Sequence, residues 1–118
     1  MRDWKIDALI TEIHETLYRL GVKATISGFF EATCAVFLVM QKVNRERFSI
    51  MSVYRRTAEL YHVEFDSIDP KIRRLIYRIW KSNPELLKRM AGRELTKAPT
   101  PREFINILCD YLSADETP

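Results

Sequence analysis

Residues 49–81, SIMSVYRRTAELYHVEFDSIDPKIRRLIYRIWK, decide how this chain is read. Ser49 stands before Ile50, Val53, Tyr54, Thr57, Ala58 and Tyr61. Their three- and four-residue recurrence predicts a helix over about 50–61 with Ser49 as its cap. His62 to Asp66 reads as a short turn, and Ile68, Ile72, Leu75, Ile76, Ile79 and Trp80 form a broad apolar stripe on a second helix, about 67–81. Ala58 is the small side chain that two closely crossing helices require, and Val63 and Ile68 are placed to pack the turn and the start of the second helix. Lys71, Arg74, Arg78 and Lys81 fall at i, i+3, i+7 and i+10 on the face opposite the isoleucines, with Arg73 beside them. A helix-turn-helix needs this division: an apolar back that locks the second helix to the domain and a basic face for the major groove. Arginine serves there twice, pairing with guanine edges and neutralising phosphates. A solvated face on any amphipathic helix has the same pattern, so both readings stand on these residues alone.

Outward from this core the chain is helical almost throughout. On the N-terminal side, Trp4, Ile6, Leu9, Ile10, Ile13, Leu17 and Leu20 predict a helix over about 3–20, stopped by Gly21. A short extended link, Val22 to Ile26, leads to Ser27 as the expected cap of a helix over 29–42, apolar on nearly every side and so expected at the centre of a bundle. Asn44 to Phe48 reads as a polar connection. On the C-terminal side, Asn83-Pro84-Glu85 restarts a short helix, about 84–91, ended by Gly92. Thr100-Pro101-Arg102-Glu103 is a capping box that opens a last helix, about 101–113, burying Phe104, Ile105, Leu108, Tyr111 and Leu112. The tail from Ala114 to Pro118 is expected to fray. The fold class is therefore all-α, a single-domain bundle of about six helices spanning 1–118.

The composition agrees with a globular domain: 118 residues, 47% apolar and 30% charged. The net charge of +3 is unevenly spread. Residues 1–66 balance, residues 94–118 are acidic, and residues 67–93 carry Lys71, Arg73, Arg74, Arg78, Lys81, Lys88, Arg89 and Arg93 against Asp69 and Glu85. A compact basic segment on a near-neutral body is the footprint of a polyanion contact, often nucleic acid. The longest apolar run, Cys34 to Met40, is seven residues, far short of the roughly 20 that cross a bilayer. Met1 to Lys5 contains no apolar export signal. Cys34 and Cys109 lie among aliphatic residues and read as small buried thiols, so a reducing, cytoplasmic setting is expected.

Catalytic signatures are missing. His14 and His62 are isolated, no cysteine pair has metal-ligand spacing, and the three glycines are dispersed. His14, beside Ile13 and one turn from Ile10, reads as a surface or boundary residue. The expectation is no enzyme, no catalytic residues, no cofactor and no metal.

Several motifs resemble the C-terminal DNA-binding effector domain of the sporulation-initiation response regulator (stage zero sporulation protein A) family. Leu20-Gly21-Val22-Lys23-Ala24 is similar to the family's I-G-V-P-A, and Ile26-Ser27-Gly28-Phe29 to its I-K-G-Y. Ala58 matches the alanine of the family's first helix-turn-helix helix, and Ile68, Ile72, Ile76 and Trp80 match apolar positions of its recognition helix. Lys97 to Ile105 resembles its K-P-T-N-S-E-F-I, and the likeness spans about residues 9–113. The resemblance implies a six-helix domain that binds TGTCGAA-type promoter boxes in double-stranded DNA as a head-to-tail homodimer and touches the sigma factor of RNA polymerase. Carried over by position, Arg73 matches a basic recognition-helix residue, Arg74 a histidine and Asp69 a glutamate.

Departures from the family bear on base readout. Ser67 and Pro70 stand where the family has DNA-contacting arginines, and forgoing one bidentate arginine–guanine pairing costs about 1–3 kcal/mol of discrimination. Asp69-Pro70 also reads as cap and first helical residue, which would start the recognition helix two residues later than in the family. Lys71 and Arg78 add charge where the family has alanine and valine, and the segment between Trp80 and Phe104 is shorter. The family's receiver domain is not expected in this chain.

The leading expectation is a sequence-specific transcription regulator domain with Lys71, Arg73, Arg74 and Arg78 as groove and phosphate contacts, Ser67 at the helix N-terminus, and Arg55 and Arg56 on flanking phosphates. The alternative is a protein-interaction homologue that no longer reads DNA and modulates a related regulator or RNA polymerase.

Overall fold

A computed structural model describes residues 4–42 and 47–114. Six α-helices and no strand lie among the described residues: α1 Trp4–Arg19, α2 Phe29–Met40, α3 Ile50–Tyr61, α4 Ile68–Ser82, α5 Pro84–Ala91 and α6 Pro101–Ala114. The all-α bundle expected from the periodicity is the architecture observed. The polar connection expected at 44–48 and the fraying tail fall largely outside the described residues.

Helix α2 sits at the centre, packed against α1, α3, α4 and α6. Its sequence explains the position: Phe29, Ala32, Thr33, Cys34, Ala35, Val36 and Val39 are buried, so no polar stripe is left for solvent. Buried threonines satisfy themselves locally. Thr33 Oγ1 donates to the Phe29 carbonyl at 2.9 Å, and Thr57 Oγ1 to that of Val53 at 2.8 Å, so neither hydroxyl is orphaned in the core. Cys34 and Cys109 are both buried thiols, as expected. His14 is half-buried, its ring centroid 5.1 Å from that of Phe29, and burial pulls its imidazole below the ordinary histidine value.

One helix start differs from the sequence reading, and at another the structure decides between two starts that the sequence offered. Ser27 does not cap α2. The cap position is Gly28, with φ of 94°, and no side chain caps it. A Cβ on Gly28 would stand 2.7 Å from the Lys71 carbonyl oxygen on α4, so the position is set by close approach of two backbones rather than by a capping hydroxyl. At α4 the start expected near residue 67 holds, and the alternative with Asp69-Pro70 as cap and first residue does not. The chain makes a 3₁₀ turn over Phe65–Ser67, and α4 begins at Ile68. Pro70 is thus the third helical residue, where a backbone N–H has no intrahelical acceptor to lose. The Asp69 carboxylate is used elsewhere, as described below.

Other ends follow the sequence closely. The Ser49 side chain accepts from the Ser52 N–H at 3.1 Å. His62 takes the left-handed conformation after α3, and the Val63 N–H reaches the Ala58 carbonyl at 3.1 Å, a Schellman closure without glycine. At α6 the Thr100 N–H donates to Glu103 Oε1 at 2.8 Å, and the Glu103 N–H to Thr100 Oγ1 at 3.2 Å. The Thr100 N–H holds the Glu103 carboxyl below its ordinary value. The stabilisation linked to that shift is fully present above the unfolded carboxyl pKa and is lost as pH falls through the lower folded value. Thr100→Ala is expected to cost about 1 kcal/mol in urea unfolding at neutral pH. An unchanged midpoint would mean that the box contributes nothing to stability.

Candidate nucleic-acid interface

Helix α4 is held on three sides. Ile68, Ile72, Leu75, Ile76 and Ile79 are buried, which fixes one face in the core. Helix α3, with Ala58 7% exposed, packs against it. Gly28 then meets Lys71 backbone to backbone and brings the 25–27 loop alongside α4. The face left over borders an open groove of about 1050 Å³ lined by Thr25, Ile26, Ser27, Arg73, Arg74, Leu75, Tyr77, Arg78, Lys81 and Ser82.

The cations on this helix are not equivalent. Lys71 Nζ lies 3.2 Å from Glu31 Oε2 of α2, with side-chain exposures of 26% and 13%. It is therefore tied back to the scaffold. Arg73 Nε donates to Asp69 Oδ2 at 2.5 Å. Arg74 and Arg78 are exposed and make no ion pair among the described residues. Lys81 Nζ lies 5.5 Å from the Tyr77 ring centroid, and Tyr77 is 55% exposed. From Arg74 to Lys81 the helix rises about 10 Å, so the free cations line most of the groove.

The remaining expected residues do not line the groove. The Ser67 hydroxyl donates to the Glu64 carbonyl at 2.7 Å, within the 3₁₀ turn. The Arg55 guanidinium lies 5.2 Å from the Phe65 ring centroid, and exposed Arg56 pairs with Glu59 at 3.3 Å. The basic run of residues 67–93 splits. Lys88 pairs with Glu85 at 3.7 Å and lies 5.6 Å from the Trp80 ring centroid. Arg93 reaches Glu103 at 4.0 Å.

Sequence reasoning missed Tyr77 and the 25–27 loop as parts of the groove. Tyr77 was legible, since it stands three residues after Arg74 and four before Lys81 on the same face. The loop was not, because only the Gly28–Lys71 approach places it beside α4.

Among the described residues no helix is long and apolar enough to cross a membrane, and no group of three or more His, Cys, Asp or Glu side chains stands where it could hold a metal ion. No curated protein and no solved structure matches this chain. A family model described as "Sporulation initiation factor Spo0A C terminal" matches residues 13–112. That span takes in α2 to α5 whole and parts of α1 and α6. The chain belongs to the family of the C-terminal effector domain of sporulation initiation factor Spo0A, a DNA-binding regulatory domain family.

Proposed function

We propose that this protein is a sequence-specific, double-stranded-DNA-binding transcription regulator of the sporulation-initiation type, with α4 as the helix that enters the major groove. The observation that carries the reading is the exposed row Arg74, Arg78 and Lys81 along a helix whose opposite face is buried in the core. A B-DNA major groove about 12 Å wide admits one such helix. Arg73 and Arg74 supply groove and phosphate contacts, and Arg78 continues the contact along the strand. Ser67, at the N-terminal end of α4, and Arg55 and Arg56, on α3, add backbone contacts that fix the docking angle. Lys71 contributes charge at the edge of the interface while its ammonium stays with Glu31. On this reading the protein acts where the chromosome is, in the cytoplasm, has no catalytic step, and pairs with a second copy on adjacent boxes. Contact with the RNA polymerase sigma factor belongs to the same proposal.

The second reading, a protein-interaction homologue that does not read DNA, draws on the N-terminal end of α4. There Ser67 is turned back to Glu64 and Lys71 to Glu31, and Pro70 carries no donor. Alanine variants test the DNA-reading case. Arg73→Ala and Arg74→Ala are expected to weaken binding to a box-containing duplex by about tenfold or more, and Lys88→Ala by much less, since Lys88 lies on α5 against Trp80 and Glu85. Equal losses in all three, read by fluorescence anisotropy, would mean that the protein senses only net charge.

A further inference from the structure

Arg73 differs from its neighbours in how it is held. Its Nε–H donates to Asp69 Oδ2 at 2.5 Å, one turn back on α4. The other oxygen of that carboxylate, Oδ1, accepts from Tyr54 Oη at 2.6 Å. Tyr54 belongs to α3 and is 1% exposed. A surface i,i+4 ion pair alone contributes little, because both side chains swing in water. Here the carboxylate cannot swing, since a fully buried phenol on another helix grips it. Burial pushes the Asp69 carboxyl up, but the donors from Tyr54 and Arg73 outweigh that and hold it below the usual carboxylate value. Burial, and then the bond to Asp69, raise the Tyr54 phenol, so it stays a donor throughout the neutral range.

The consequence lies in which nitrogen is used. A guanidinium has five N–H donors in a rigid fork. With Nε occupied, the four Nη protons remain at the outer end, the pair that meets guanine O6 and N7 in a bidentate contact. The Arg73 side chain is 59% exposed at the groove edge, so its terminal donors are open to solvent.

We infer that Arg73 is the guanine-reading residue of this interface, and that Asp69 and Tyr54 are positioning residues that aim its Nη pair at the base edge. The inference rests on the DNA-binding reading above and adds a division of labour: Arg73 carries sequence preference, whereas Arg74 and Arg78, free of such supports, carry phosphate affinity. Tyr54 sets specificity from inside the core, without touching DNA.

The test selects preferred duplexes from a random pool with the full chain, then measures the penalty for each base change in wild type, Arg73→Ala, Asp69→Asn and Tyr54→Phe. Arg73→Ala is expected to relax one guanine position, Asp69→Asn to lower the preference there by about tenfold and Tyr54→Phe by about threefold. Tyr54→Phe keeps the buried ring, and Asp69→Asn keeps the shape but presents an amide N–H to Arg73 or to Tyr54. Melting temperatures recorded alongside identify any general loss of structure. A second readout needs no DNA: the Arg73 Nε–H resonance in ¹H–¹⁵N spectra is expected to exchange slowly in wild type and faster in both positioning variants. A preferred sequence whose guanine penalty is unaltered in Asp69→Asn and Tyr54→Phe would overturn this inference alone, as would equal relaxation at every position. A pool that yields no preferred sequence would overturn the specific DNA-binding reading together with it.

Discussion

Gly28→Ala is expected to lower the melting temperature by about 10 °C or more, through two separate costs. The first is conformational. Gly28 has φ of 94°, beyond the small left-handed region that L-residues tolerate, and such backbone costs about 1–2 kcal/mol. The second is steric. The new methyl would stand 2.7 Å from the Lys71 carbonyl oxygen and 3.1 Å from its carbonyl carbon. Both are backbone atoms of α4, so relief requires moving the helix rather than turning a side chain, at about 1–3 kcal/mol for a core that must repack. Together these give about 3 kcal/mol, and each kcal/mol shifts the midpoint of a domain this size by about 4 °C. Gly92→Ala is the internal comparison. Gly92 also has positive φ, 68°, but nothing lies within 4 Å of its added Cβ, so only the conformational cost applies and the loss is about 1 kcal/mol. Equal losses at the two glycines would show that the approach of the 25–28 segment to α4 does not constrain the fold.

The second large effect concerns binding. In the double variant Arg74→Ala/Arg78→Ala, affinity for any duplex is expected to fall about 100-fold at moderate salt, and the slope of log affinity against log salt to decrease in magnitude by about 2. The melting temperature should hold, because both side chains are exposed and make no ion pair among the described residues. Lys71→Ala is the contrast. Lys71 is bridged to Glu31, which is only 13% exposed, so its removal leaves a partly buried carboxylate without its partner. Its effect should appear in stability more than in the salt slope. A double variant that binds DNA with an unaltered slope would remove Arg74 and Arg78 from the interface.

What was legible in the sequence, and what was not, divides by range. Helix identities came from apolar spacing, and several ends came from local chemistry acting over three or four residues: Ser49, the Thr100–Glu103 box, and Gly92. Where the sequence misled or left two starts open, a distant element decides. Ser27 is a reasonable cap by composition, but the approach of Lys71, 43 positions after Gly28, sets the backbone there. Asp69 has the composition of a cap, yet its carboxylate is taken by Tyr54 and Arg73, while a 3₁₀ turn supplies the helix entry. The same limit applies to the site. Periodicity put Lys71, Arg74, Arg78 and Lys81 on one face, but it gave no sign that Lys71 is bridged to α2 while Arg74 and Arg78 remain free. Charge is visible in sequence; the partner that occupies it is a tertiary fact.

Whether α4 reads a duplex is decided most directly by fluorescence anisotropy of the wild-type chain. One labelled duplex carries a TGTCGAA-type box, the other a scrambled box, and both are titrated across a salt series. The expected result is a preference for the box of about 10³-fold or more, with affinity for both duplexes falling as salt rises. Equal weak binding to the two would contradict readout of this box by α4, and no binding at low salt would contradict DNA binding by α4 altogether.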